Sequence, residues 1–322
     1  MISIIIPVYN TNITFLKKCL DSIVNQTDKS FEAIIVNDGS SKKIKDFFHK
    51  YESKNIRVIN KNNTGVSDTR NVGIKASKYD YVTFLDSDDY LEKDAVEKIN
   101  NYINGSDILV FPCNIVYKNK IIKNEFYDKE EKNIDKREFI LQSIEKGFTK
   151  FYPKVLPVCV TFSKVYRKEF LIKNNIIFNT ELKIFEDLIF NIYAFEKANQ
   201  IDYIDYIFYN QISNNSSISN KTDYSDYEKC FNEIKKFIGE DKIYNNALDL
   251  RKIISFNYYI NKYSKKYILK LRNKYIYELY NINYNNLNLY QKIFIFLIKH
   301  KLIYCAKILD MIKWSIKNEK KF

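Results

Sequence analysis

Residues 81–89 read Y-V-T-F-L-D-S-D-D, a short apolar run of β character that stops abruptly in three carboxylates, Asp86, Asp88 and Asp89. Carboxylates this close repel one another unless a hard cation lies among them. Mg2+ or Mn2+ keeps several waters and takes one or two carboxylates plus phosphate oxygens. Asp86 and Asp88 are the natural pair, because residues i and i+2 leaving a strand point the same way. The competing reading is an acidic turn in which Asp88 or Asp89 caps a helix starting near Leu91. Both readings put the polar chemistry at the carboxyl end of a strand.

Working outward, residues 2–8 form a nearly all-apolar, β-branched run suited to a strand buried on both faces of a parallel sheet. A helix capped by Thr11 or Asn12 should follow, with Leu16, Leu20, Ile23 and Val24 on one face. Residues 31–36 give a second strand, and Asn37-Asp38-Gly39-Ser40 after it is a turn signal that exposes a carboxylate. Residues 57–59 predict a third strand, 64–73 open a helix with small residues, and 81–85 predict a fourth strand. Strands alternating with helices make a parallel α/β sheet, which binds ligands beyond the carboxyl ends of its strands. Asp38 and the 86–89 run both lie at such ends. Three of the six glycines, Gly39, Gly65 and Gly73, fall in these same loops and helix starts. Plain turn chemistry, or helix packing for Gly73, is the alternative reading.

At this point the chain resembles a known family. I-S-I-I-I-P-V-Y-N at 2–10, C-L-D-S-I-V-N-Q-T at 19–27 and F-E-A-I-I-V-N-D-G-S at 31–40 are similar to motifs of glycosyltransferase family 2. N-T-G-V-S-D-T-R-N-V-G-I at 63–74 and Y-V-T-F-L-D-S-D-D at 81–89 continue the resemblance in order. It is dense to about residue 115. It thins through V-T-F-S-K-V-Y-R-K-E-F at 160–170, F-E-D-L-I-F at 185–190 and F-Y-N-Q-I-S-N-N-S-S-I at 208–218. The resemblance implies an inverting enzyme with a GT-A fold, a Rossmann-like, mostly parallel sheet flanked by helices. Residues 1–220 would be catalytic, with 1–115 binding the nucleotide sugar and 116–220 the acceptor. Residues 221–322 would be a basic helical extension.

Roles follow from that resemblance residue by residue. Pro7, Tyr9 and Asp38 are expected to line the nucleobase site, which in similar enzymes most often holds uracil. Arg70 is expected near the base and diphosphate, Asp86 in the ribose and metal shell, and Asp88 as the main ligand of Mn2+ or Mg2+. Asp89 is left for the helix cap. Position 37, Asn here, is usually acidic in such enzymes, so no role is assigned to it. Inversion requires a base to take the acceptor's proton. Asp187 in F-E-D-L-I-F is expected to be that base, with apolar neighbours raising its pKa; the simpler reading of Glu186-Asp187 is an acidic helix start. Glu186, Lys164, Arg167 and Tyr209 are candidates for the acceptor side, and residues 214–217 for a polar lid. An ordinary solvated face and polar loop are the alternatives there. His49 and His300 fall outside the matched segments, so no histidine ligand is expected.

Composition bounds the rest. A hydrophobic content of 46% and an aromatic content of 16% argue against disorder. Five scattered cysteines without a C-x-x-C fit a reducing compartment and no zinc site. Met1 leads straight into a strand with no basic leader, so a cytoplasmic protein is expected.

The net charge of +13 is localised: residues 230–322 hold 19 Lys+Arg against 7 Asp+Glu. Residues 289–314 there look like a basic amphipathic helix, too short in its apolar run to span a bilayer. It suits either the cytoplasmic face of an anionic membrane or a helix packed on the catalytic domain. No nucleic-acid module is recognisable. The polar stretch 214–227 is the linker candidate, and 118–136 a hairpin or surface insertion.

The function expected is transfer of a single sugar from a nucleotide sugar, UDP-linked by resemblance, to a glycan or lipid-linked glycan in surface polysaccharide assembly. No Q-x-x-R-W of processive relatives is present. A sugar-phosphate nucleotidyltransferase is the alternative enzyme. It would want a glycine-rich loop after the first strand, and residues 1–30 contain no glycine. An inactive nucleotide-sugar-binding scaffold is the non-enzymatic one.

Overall fold

The computed structural model describes residues 1–127, 133–145, 158–213, 224–262, 268–269, 272–273 and 289–309. Strand β1 (Ile2–Val8) is buried at every position, as an apolar run flanked on both sides must be. Helix α1 (Ile13–Val24) starts where Asn12 Oδ1 accepts the Thr14 N–H at 2.9 Å. Leu16, Cys19, Leu20 and Ile23 face inward, while Val24, expected on that face, is exposed. β2 (Phe31–Asp38) runs two residues past the apolar stretch, so Asn37 and Asp38 belong to the strand itself. Next come α2 (Lys42–Phe48), β3 (Ile56–Lys61), α3 (Val66–Ala76) and β4 (Tyr81–Phe84). Gly73 lies where α3 meets β1, and a methyl there would stand 2.3 Å from Ile5 Cγ2. Packing therefore accounts for that glycine.

The helix expected near Leu91 begins later. Tyr90–Leu91 form a short strand, β5, and α4 runs Ala95–Tyr102 behind Asp94. The polar and apolar residues just after the acidic turn are drawn into sheet pairing instead of a first helical turn. Then follow β6 (Ile108–Val110), β7 (Cys113–Val116), β8 (Ile121–Asn124), α5 (Lys136–Glu145) and β9 (Lys164–Arg167). After these come α6 (Lys168–Lys173), α7 (Glu186–Lys197), β10 (Ile201–Tyr203) and β11 (Tyr209–Ile212). The hairpin expected in 118–136 is the turn between β7 and β8, closed by Tyr117 N–H on the Lys120 carbonyl. Residues 128–132 lie outside the described residues.

The central sheet has seven strands in the order β10-β6-β9-β4-β1-β2-β3. The strands β4-β1-β2-β3 are mutually parallel, and β9 alone runs antiparallel between β4 and β6. A smaller sheet, β5-β11-β7-β8, was not anticipated. Its strands are two to four residues long, and outside the β7–β8 hairpin they pair across large sequence separations, β11 with β5 and with β7, so no local period announces the sheet.

Residues Met1–Thr222 form one compact unit and Asp223–Phe322 a second. The second contains α8 (Tyr224–Ile238), α9 (Lys242–Lys262) and α10 (Leu289–Lys299), and residues 303–309 are helical. Among the described residues, no helix is long and apolar enough to cross a membrane.

Candidate active site

The carboxyl ends of the parallel strands converge on one edge, and the sheet register fixes what meets there. Asp38, the last residue of β2, stands opposite Lys61, the last of β3. The Leu85 N–H bonds the Ile5 carbonyl at 2.9 Å and carries β4 out into the acidic turn. Two further contacts hold the loops together. The Asn10 N–H donates to Ser40 Oγ (3.0 Å), and Thr11 Oγ1 and Ser87 Oγ lie 2.6 Å apart. Pro7 is buried in β1, and Tyr9 beyond it is 54% exposed.

Asp38 is at the expected edge, but it already serves the chain. Oδ1 accepts the Thr64 N–H (2.9 Å) and the Lys61 ammonium, and Oδ2 accepts the Gly65 N–H (2.9 Å). A carboxylate offers roughly four acceptor positions, so one on Oδ2 remains for a bound N–H. Lys61, which sequence reading missed, also pairs with Asp68 at 3.0 Å. Burial alone would lower its pKa; Asp38 and Asp68 more than reverse that and raise it. Only the cross-strand register puts Lys61 there, since a lysine ending a strand looks like an ordinary solvated residue. Asn37, buried, donates to Asn60 Oδ1 (2.7 Å) and accepts the Ser40 N–H (3.1 Å). A neutral side chain at this position therefore has a structural job.

The two walls of the edge are joined by Arg70. One terminal nitrogen is 3.1 Å from Asp86 Oδ1 and the other 3.0 Å from Glu186 Oε1, with the guanidinium 5.3 Å from the Phe178 ring centre. Its Nε is buried and finds no acceptor among the described residues, which leaves one N–H of the rigid guanidinium fork unpartnered there. Burial by itself would lower the Arg70 pKa, and Asp86, Glu186 and Asp187 together raise it. Arg70 thus lies between the acidic turn and the helix start, bound to both.

Glu186 and Asp187 open α7 behind Phe185, whose φ of 58° is left-handed. A non-glycine residue held there stores strain that surrounding structure must over-determine. Here the helix is fixed from below. Asn191 accepts from the Tyr166 hydroxyl (2.7 Å) and donates to the carbonyls of Cys159 (2.7 Å) and Asp187 (2.9 Å). Phe178 and Phe190 stack at 4.0 Å, with Phe84 edge-on to both. Asp187 Oδ1 accepts the Leu188 N–H at 2.7 Å, placing its charge at the positive end of the helix. It is Glu186 whose carboxyl is pushed up to about 7. Burial is the largest cause and the neighbouring Asp187 the next, while Arg70 pulls the other way.

The three carboxylates of the acidic turn divide. Asp89 turns inward and accepts the Tyr209 hydroxyl (2.6 Å) and the Ile212 N–H (2.7 Å). It ties the turn to β11 and caps no helix, correcting the expectation. Burial, then Asp86 and Asp88, push its carboxyl well above the usual range. Asp86 and Asp88 remain half-buried. Among the described residues no three His, Cys, Asp or Glu side chains converge as a closed metal cage. A hard cation completed by diphosphate oxygens and water needs only one or two carboxylates, and the Asp86 and Asp88 pair fits that donor set.

Three acceptor-side candidates are corrected. Tyr209 is fully buried: its hydroxyl is used by Asp89 and by the Asp86 N–H (3.2 Å), and its ring stacks on Phe162 at 4.5 Å. It supports the acidic turn from behind. Arg167 pairs in register with Tyr81, at the amino end of β4, and bonds Asp107 there. That is the edge opposite the site. Lys164 is fully buried, donating to the Val160 carbonyl and lying 5.0 Å from the Phe126 ring centre. The lid candidate 214–217 lies outside the described residues.

Burial lowers the Lys164 pKa to about 7. Between about 7 and the ordinary 10.5, the unfolded chain holds a proton that the folded one has released. Stability should therefore rise with pH across that window. Lys164→Met is expected to stabilise the protein by on the order of 2 kcal/mol at pH 7, an advantage that shrinks toward pH 10. Thermal unfolding of both proteins across this range checks it; a constant difference would contradict the buried-amine account.

The family model described as Glycosyl transferase family 2 matches residues 3–174. The chain belongs to glycosyl transferase family 2. Poly(ribitol-phosphate) beta-N-acetylglucosaminyltransferase TarP of Staphylococcus aureus is 32% identical over 76% of this chain and 74% of TarP. Uncharacterized glycosyltransferase EpsJ of Bacillus subtilis is 29% identical over 64% of the chain. The match spans 59% of EpsJ's own length. The crystal structure of S. aureus TarS 1–349 with UDP-GlcNAc superposes with a TM-score of 0.71 at 20% identity, covering 98% of this chain and 91% of that one. The expected GT-A architecture of this family 2 chain is thereby shown.

Proposed function

We propose that this protein is an inverting, metal-dependent glycosyltransferase that moves one sugar from a UDP-linked donor to a surface-glycan acceptor. The observation that carries the reading is Arg70 spanning from Asp86 to Glu186. It sets a pair of carboxylates suited to a diphosphate-bound cation beside the carboxylates suited to deprotonating an acceptor hydroxyl. Support for the donor class comes from TarS, solved with UDP and with UDP-GlcNAc, and for a polymeric acceptor from TarP's poly(ribitol-phosphate).

In this reading Mn2+ or Mg2+, held by Asp88 and Asp86, would neutralise charge on the departing UDP. Asp187 takes the acceptor proton from the opposite side of the sugar. Arg70 holds Glu186 and Asp86 in place and offers its Nε–H to a donor oxygen, and Oδ2 of Asp38 has room for one N–H of the base. Pro7 and Tyr9 flank that base.

The test is a panel of nucleotide sugars, each with and without Mn2+, read first as thermal stabilisation and then as UDP release. A ligand that binds only the folded state raises its apparent stability. The expected result is metal-dependent stabilisation by a UDP-sugar, with metal-dependent UDP release lost in Asp88→Ala while its unfolding temperature without ligand is kept. Binding without turnover toward any acceptor would favour a scaffold, and release of pyrophosphate from UTP and a sugar phosphate would favour a nucleotidyltransferase.

A further inference from the structure

Residues 289–309 carry Lys292, Lys299, Lys301 and Lys307 and contain no Asp or Glu. α10 within them is apolar on two sides. Phe294, Ile295 and Ile298 are buried with Gln291. Arg272 fixes that side, donating from Nε to the Ile298 carbonyl (2.9 Å) and from a terminal nitrogen to that of Lys299 (2.5 Å).

The other side faces solvent. Leu289 is 74% exposed, Ile293 38% and Phe296 54%. Their spacing of four and three residues places them in one stripe. Past the turn at Lys301, Leu302, Tyr304 and Ile308 are also exposed, over buried Ile303 and Ala306. A helix that has already buried one apolar face would ordinarily present polar residues on the other.

We propose that this outer face is a docking surface for an anionic lipid bilayer, with α10 lying in the plane of the headgroups. Leu289, Ile293 and Phe296 would enter the acyl boundary, and Lys292 and Lys299, each three residues beyond a stripe member, would reach the headgroups. Charge selects the occupant. Residues 289–309 carry four lysines and no Asp or Glu, so a second copy of the same segment would be repelled and an anionic leaflet attracted. Residues 310–314, the end of the helix expected from sequence, lie outside the described residues.

Co-sedimentation of the full chain with vesicles tests this. Pure phosphatidylcholine vesicles are compared with ones containing phosphatidylglycerol, at low and high salt. Binding to the anionic vesicles is expected to be about tenfold or more stronger and to weaken with salt. Ile293→Ser with Phe296→Ser should reduce it by about tenfold or more, at unchanged helix content and unfolding temperature. Lys292→Glu with Lys299→Glu should reduce only the anionic preference. No binding, equal binding to both vesicles, or indifference to the Ile293/Phe296 pair would overturn the proposal. So would a concentration-dependent dimer dispersed by those same substitutions, which would assign the face to a second copy.

Discussion

Asp187→Asn is expected to lower kcat for sugar transfer by roughly 10²- to 10⁴-fold, the usual contribution of a positioned general base. The asparagine keeps the side chain's shape and an oxygen to accept the Leu188 N–H, so α7 should still start at Glu186. What it loses is the capacity to take a proton. Donor binding, read as thermal stabilisation by a UDP-sugar, should therefore survive.

The neighbouring Glu186 makes the experiment discriminating. Burial pushes its carboxyl up to about 7, a good value for a base, but it is engaged by Arg70. Glu186→Gln is expected to cost activity less steeply than Asp187→Asn. If Glu186→Gln proves the more damaging and Asp187→Asn nearly silent, the two residues exchange roles.

The second large effect concerns Arg70. Arg70→Ala removes the only ion-pair partner described for both Asp86 and Glu186, among the described residues. Breaking a buried pair by deleting one member typically costs about 3–5 kcal/mol, because the remaining charge is left uncompensated. A loss toward the lower end of that range is expected, since Asp86 keeps some access to water. Arg70→Lys should recover only part, because a single ammonium cannot reproduce a fork that reaches two carboxylates on different elements. Adding Glu186→Gln to Arg70→Ala should restore about 1–3 kcal/mol, the coupling expected of residues in direct contact. Denaturant unfolding of the three variants reads this directly. A change under about 0.5 kcal/mol for Arg70→Ala would refute the clamp.

β1, β2 and β4 were legible because each is a short apolar run between turn signals, and in a parallel sheet that pattern has few other solutions. The Asn12 cap and the inward face of α1 were legible for the same reason: helical spacing and capping are local properties. The small sheet was not, since β5 has two residues and its partner β11 follows more than a hundred positions later.

Charged residues show the division most clearly. Lys164 and Arg167 look alike in the sequence, yet one is fully buried with its ammonium on the Val160 carbonyl and the other ends at the sheet's far edge. Asp86, Asp88 and Asp89 look like one cluster, yet only two of them border the site. The chain by itself determined the parallel sheet and the edge at which its chemistry gathers, because apolar periodicity and turn residues act over a few positions. Tertiary structure alone decided that Asp89 holds β11 and that Arg70 joins Asp86 to Glu186. Those partners lie 16 to 123 residues apart, and no local pattern records which distant side chain will share a buried charge.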